Sequence, residues 1–454
     1  MHTPPLAGGP HGPAALYPLL GVVLDALREG AVARGGPLPG GGPEAVAVRV
    51  GAAVGDVLPL RGSSAEEALT TLVRALAEGA ADPADPRCAA HLHTPPLALA
   101  AAADLAASAL NPSLDSWDQA PAAAELEALV TRALAAGFWP GGDALVTSGG
   151  TESNQLALLL ARERHGAVQV VQGANAHHSV ARAAWLLGLP EPVTVPAPAG
   201  TLDLAALDEA LTDLHHPLLV TATAGTTDTG AIDPLPEIAA LCAQHGAELH
   251  VDAAYGGPLI FSETHRAKLR GIEHAQSITL DLHKLGWQPV AAGLLAVPAP
   301  ARLAPLAHTA DYLNADDDTE AGLPDLLGRS LRTTRRADVL KIAVTLRALG
   351  RTGLAALVDR TLALAGTFAD LVEEHPRLDL YERPAISTVL FRPTGASDDE
   401  VAGIRRALLT EGRAVLGRAR ADGRLWLKAT LLNPHTTTGD LAQLLKTVEG
   451  SIPR

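Results

Sequence analysis

Only five lysines occur in the 454 residues: Lys268, Lys284, Lys341, Lys428 and Lys446. Lys284 closes the stretch SITLDLHK, in which Ile278 and Leu280 alternate with polar neighbours as in a β-strand. Its amine is expected where a sheet opens into a ligand crevice, and an amine so placed can condense with an aldehyde to form a Schiff base. Each of the other four has an ordinary solvated explanation: Lys268 in a polar segment, Lys341 and Lys446 in helices, Lys428 in a strand near the C-terminus. Taken alone, Lys284 also reads as a strand-end lysine in solvent.

Four further groups would complete a site for an aldehyde carried on a phosphorylated pyridine. TSGGTESN, Thr147 to Asn154, joins a strand to a helix; Gly149 and Gly150 let backbone N–H groups approach a phosphate, and Thr151 adds a hydroxyl. The stretch lacks the Gly-Lys-Ser/Thr of a nucleotide-binding loop, and a plain turn capped by Thr151 is the alternative. Asp252 ends AELHVD, where a carboxylate can hold a pyridine nitrogen protonated or merely cap a turn. His177 opens HHSV, where an imidazole can stack on a ring and bond a carboxylate. Thr226 and Thr227 in TATAGTTDTG can reach a phenolic oxygen or close a turn. The paired histidines His91 and His93, His177 and His178, and His215 and His216 raise a metal site, but no acidic or cysteine ligand stands beside them at helical spacing, so none is expected.

These groups all follow short apolar runs. From His91 to about Gly350, strands and helices alternate: DALVTSGG, AVQVVQG, PLLVTATAG, AELHVD and SITLD, with a helical segment after most of them. That order predicts an α/β fold with a mostly parallel sheet, helices on both faces and the ligand at the carboxyl ends of the strands. Before it, PAALYPLLGVVLDALREG and SAEEALTTLVRALAEG read as amphipathic helices around a flexible Gly/Pro tract. They form an N-terminal arm, residues 1–88, whose apolar face must bury on the main body or on a second subunit. The large domain is set at 89–350. Residues 351–454 read as a small α+β domain, with Ser397 and Glu400 as a capping box and a last helix from about Thr437.

A net charge of −15 without a dense basic stripe argues against nucleic-acid binding. Cys88 and Cys242 fit no C-x-x-C spacing, so a reducing compartment is expected. The N-terminus lacks the charged opening of a secretory signal and no apolar run approaches a membrane span, which predicts an unexported cytoplasmic protein without a membrane partner.

The ordered set TSGGTESN, HHSV, HVDAAYGG and DLHK resembles the group II pyridoxal-phosphate-dependent amino acid decarboxylases. The resemblance runs from about His91 to the C-terminus. It implies a type I, aspartate aminotransferase-like fold, pyridoxal 5'-phosphate as cofactor, and a homodimer with its active site at the interface. Carried over by motif position, Lys284 bears the cofactor, Asp252 pairs with the pyridine nitrogen and His177 stacks on the ring. Gly150, Thr151 and His283 hold the phosphate, Thr227 lies near the phenolic oxygen, and Ala254 packs on the other ring face. Tyr312, in HTADYLNADDD, stands where the family has a loop tyrosine that assists protonation after carbon dioxide leaves.

HLHTPPL, DSWDQAP and SLRTTRR look most like the 2,4-diaminobutyrate and siderophore-pathway lysine decarboxylase branch, with Thr94, Trp117 and Asp118 carried as substrate-facing residues. Asp281-Leu282 departs from the family's frequent Asn-Pro or Asp-Pro. The expected activity is α-decarboxylation of a diamino acid (lysine, ornithine or 2,4-diaminobutyrate). The acidic run Asp316, Asp317, Asp318 and Glu320 reads as a solvated loop, or else as a counter-charge for a substrate ammonium. The alternatives are an aromatic amino acid decarboxylase, an oxidative deaminase, an aminotransferase, and a silent pyridoxal-binding dimer.

Overall fold

The computed structural model describes residues 3–215, 217–313 and 315–452, so His216 of the last histidine pair lies outside it. The chain forms two compact units, one of Pro96–Ala363 with Pro384–Thr388, the other of Met1–Pro95, Leu364–Arg383 and Val389–Arg454.

The first unit is built on seven strands: β1 (Asp143–Thr147), β2 (Gln169–Gly173), β3 (Val193–Val195), β4 (Leu218–Thr223), β5 (Glu248–Asp252), β6 (Ser277–Asp281) and β7 (Gly293–Val297). They lie in the order β1-β7-β6-β5-β4-β2-β3. Every pairing is parallel except those of β7, which runs against both β1 and β6. Helices Gly150–His165, Ser179–Leu186 and Leu235–His245 follow β1, β2 and β4 and cover the sheet. Leu156 and Leu160 pack on Leu145, Leu295 and Val297, while Leu158 and Val180 pack on Val170 and Leu219.

The five expected strands are present; β3 and β7 were not anticipated. Strand β6, read as an apolar strand in a sheet with helices on both faces, is buried along its whole length. Its alternation therefore does not mark one wet face, because helices cover both sides of a parallel sheet. Thr279, on the polar phase, instead donates a 2.8 Å hydrogen bond to Asn154 Oδ1.

The second unit holds β8 (Leu378–Leu380), β9 (Thr388–Pro393), β10 (Gly417–Ala421) and β11 (Arg424–Thr430), in the order β10-β11-β9-β8. Phe368, Phe391, Val401, Leu427 and Leu441 lie in its core. The expected Ser397–Glu400 capping box starts helix Asp398–Thr410, and Thr437 with Asp440 caps helix Thr438–Glu449. The N-terminal segment forms helices Gly12–Arg34, Gly42–Val54 and Ala65–Gly79. The middle one begins inside the tract expected to be flexible. A Cβ added at Gly30 would meet Arg74 O at 2.5 Å, so glycine permits the close approach of the first and third helices. Among the described residues, no helix is long and apolar enough to cross a membrane.

Two lysines depart from their expected solvation. Lys341 is fully buried, held by Asp338 at 3.1 Å and Asp104 at 3.3 Å, and Lys428 is buried in β11. A buried ammonium is tolerated when carboxylates pair with it, as Lys341 shows. Burial alone therefore does not single out Lys284.

Candidate active site

What distinguishes Lys284 is its company. It follows β6, and its Nζ lies 3.0 Å from Asp281 Oδ2, the residue that ends the strand. Asp281 is 1% exposed, and its Oδ1 has no hydrogen-bond partner among the described residues. His283 Nε2 lies 3.5 Å from the same carboxylate, and its Nδ1 accepts from the Ala292 N–H at 3.3 Å. Burial lowers the His283 pKa, with Asp281 opposing that shift.

The turn after β1 closes over this group. Gly149 has φ +152°, and a Cβ there would meet His283 Cε1 at 3.1 Å; one on Gly150 would meet Ala254 Cβ at 3.0 Å and Asp281 Oδ2 at 3.2 Å. Gly293, the first residue of β7, passes so near that its own Cβ would sit 2.4 Å from Gly149 Cα. Small residues thus bring the N-terminus of helix Gly150–His165 against His283, leaving its first N–H groups available to an anion. Thr151 is exposed at that helix start.

Asp252, buried at the end of β5, accepts from Ala254 N–H at 3.1 Å and Asn154 Nδ2 at 2.8 Å. Asn154 also donates to Ser179 Oγ at 2.9 Å, and Ser179 lies 2.8 Å from His177 Nδ1. His177 is half-buried, with its ring centroid 4.1 Å from that of His178. Burial lowers its pKa, an effect that Asp252 opposes and His178 and Lys284 reinforce. A neutral imidazole, a carboxylate, a primary amine and an anion-binding turn therefore share one end of the sheet. An aldehyde on a phosphorylated pyridine fits that donor set: the amine matches the aldehyde, the glycine cradle the phosphate, and the carboxylate a protonated ring nitrogen.

The remaining expected residues differ in their surroundings. Thr226 is buried and holds its own turn through Thr229 at 2.8 Å, while Thr227 is exposed beside it. Tyr312 lies in the turn at 311–313 and is 82% exposed, facing solvent. Trp117 packs on the cluster of Leu114, Ala124 and Leu326, and Asp118 is exposed with Ser116 as its partner. Thr94 belongs to the other unit; it is buried, and its hydroxyl has no partner among the described residues. Asp316, Asp317, Asp318 and Glu320 are all exposed, as in a solvated segment. The sequence reading overlooked Asn154, Ser179 and His250, and treated Asp281 only as a departure from a motif.

A largely parallel sheet with an amine, a carboxylate and a glycine cradle at its carboxyl edge defines a type I pyridoxal-phosphate-dependent enzyme. The chain belongs to the pyridoxal-dependent decarboxylase family, whose conserved-domain model matches residues 56–394, and it is a pyridoxal-phosphate-dependent carboxy-lyase. It is 43% identical to an L-2,4-diaminobutyrate decarboxylase of Rhizobium meliloti (strain 1021) over 412 residues, 87% of this chain and 83% of the relative. To an L-2,4-diaminobutyrate decarboxylase of Acinetobacter baumannii it is 33% identical, over 80% of this chain and 79% of the relative. A similar solved structure is the glutamate decarboxylase domain of a diaminobutyrate-pyruvate transaminase and L-2,4-diaminobutyrate decarboxylase from Vibrio parahaemolyticus. It is 32% identical with a TM-score of 0.87, covering 98% of this chain and 97% of that one. Oryza sativa TDC, solved with PLP and tryptamine, shares the fold at 23% identity and a TM-score of 0.88, covering 98% of this chain and all of that one.

Proposed function

We propose that the substrate is a diamino acid, with L-2,4-diaminobutyrate ahead of lysine and ornithine, and that the products are carbon dioxide and a primary amine. The observation that carries this reading is the 43% identity to the Rhizobium meliloti enzyme across most of both chains. Carbon dioxide release across 2,4-diaminobutyrate, lysine, ornithine, glutamate, tyrosine and tryptophan tests it. Turnover confined to the aromatic or acidic substrates would overturn the substrate assignment.

In this proposal Lys284 carries the cofactor, Asp252 holds a proton at its pyridine nitrogen, His177 lies over the ring, and Ala254 packs beneath it. Gly150, Thr151 and His283 hold the phosphate, and Thr227 lies near the phenolic oxygen. Bound pyridoxal phosphate supplies a sink for the electron pair left when carbon dioxide departs. His177 orients the substrate carboxylate, and Tyr312 supports return of a proton to the substrate's Cα. Trp117 and Asp118 are assigned to the substrate side.

Tyr312 faces solvent within its own chain, which supports completion of the site by a second copy. The N-terminal arm, with Tyr17, Leu24, Val48 and Leu76 exposed, offers apolar surface for such a homodimer.

A further inference from the structure

We propose that Asn154 is a positioning residue for the reaction: one buried amide fixes the Asp252 carboxylate and, through Ser179, selects which nitrogen of His177 carries the proton. The inference rests on the roles proposed above for Asp252 and His177. Asn154 is fully buried in the first turns of helix Gly150–His165, and all its hydrogen-bonding capacity is used. Its Nδ2 faces Asp252 Oδ2 at 2.8 Å and Ser179 Oγ at 2.9 Å, and its Oδ1 faces His250 Nε2 at 3.0 Å and Thr279 Oγ1 at 2.8 Å.

The direction of each bond follows from the donor inventory. An ionised carboxylate only accepts, so the –NH2 end of Asn154 must face Asp252, and a flipped amide would set oxygen against oxygen. Oδ1 then requires donors from both partners, which places a proton on His250 Nε2. His250 Nδ1 meets Ser277 Oγ at 2.8 Å, completing the shell on that side.

On the other side, the Asn154 amide occupies a lone pair of Ser179 Oγ. The Ser179 backbone N–H, which can only donate, faces His177 Nδ1 at 3.3 Å, so the hydroxyl 2.8 Å from that nitrogen donates to it as well, in the orientation that the Asn154 bond supports. Both partners donate, so Nδ1 of a neutral His177 accepts and its proton resides on Nε2. His177 therefore presents an N–H donor to a substrate carboxylate, with its tautomer chosen by the hydrogen-bond chain that also anchors Asp252.

Two variants separate the branches. Asn154→Ala releases Asp252 and Ser179 together, whereas Ser179→Ala retains the Asn154–Asp252 bond and removes only the hydroxyl donor to His177. The readouts are the ring-nitrogen ¹⁵N shifts of His177, assigned with His177→Gln, and the pyridine ¹⁵N shift of labelled cofactor in the holoenzyme. Wild type is expected to show His177 protonated on Nε2. Ser179→Ala should shift the tautomer populations while the cofactor signal stays at the wild-type value, and Asn154→Ala should change both. The Asn154→Ala kcat should fall by an amount on the order of 10–100-fold, with KM changing far less, as expected for misplaced reacting groups.

Protonation of wild-type His177 on Nδ1 overturns the proposal without recourse to any variant. A folded Asn154→Ala with both signals unchanged does the same. Borohydride reduction followed by peptide mapping keeps the layers apart: label absent from Lys284 removes the underlying site reading, whereas label present with unmoved nitrogen signals removes only the role of Asn154.

Discussion

Acidification should expose the cost of keeping His250 neutral. This residue lies on β5, fully buried between Asn154 and Ser277, and burial lowers its pKa from 6.5 to about 4, although Asp252 and Ser277 oppose the shift. Above the unfolded value it is neutral in both states and contributes no pH dependence. Between that value and the folded one the unfolded chain binds a proton that the native chain refuses, so stability falls as pH is lowered across the window. Integrating the two titrations gives a loss of about 2 kcal/mol by about pH 5 and roughly 3 kcal/mol in the acid limit. Urea unfolding of wild type and His250→Asn, at one protein concentration and at about pH 7 and pH 5, isolates this contribution because the carboxylates titrate in both. Wild type should lose about 2 kcal/mol more than the variant on acidification. Equal losses would refute the reasoning.

Gly293→Ala should weaken pyridoxal phosphate binding by about tenfold or more, because the new methyl would force the Gly149 backbone away from the anion-binding turn. An absorbance titration with wild-type affinity would contradict this. Glu127→Ala should lower stability by about 3–5 kcal/mol, seen as a fall in Tm, since Arg335 is 3% exposed and loses both 2.8 Å bonds to that carboxylate. Tyr312→Phe should slow amine formation and raise the share of aldehyde, measured by product analysis; an unchanged amine yield would remove Tyr312 from proton return.

The five expected strands were legible because each apolar run ends in polar residues or glycines at a turn, and those ends hold Gly149, His177, Thr226, Asp252 and Lys284. Strand β7 was not, because GLLAV is a short run buried on both faces, with neither alternation nor a chemical group at its end. Asn154 stood in a quoted motif without its meaning being readable there. Its partners lie 25, 96, 98 and 125 positions away, and only the sheet order brings them together. A usable signal was an asparagine followed by QLALLLA in a helix otherwise suited to burial, since a buried amide demands partners. Lys341 failed in the opposite direction: helical periodicity placed it in solvent, and its two carboxylate neighbours permit burial instead.

The insertion of β7 between β1 and β6 has a consequence for biosynthesis. On the ribosome, β1 emerges first of the seven strands and its eventual neighbour emerges last, so the unpaired N–H and C=O groups along the edge of an apolar strand must wait through most of the domain's translation. Such an unpaired edge is a template for intermolecular pairing and a client surface for chaperones. The same delay means that Gly293 packs against Gly149 at the anion-binding turn only after β7 has been made.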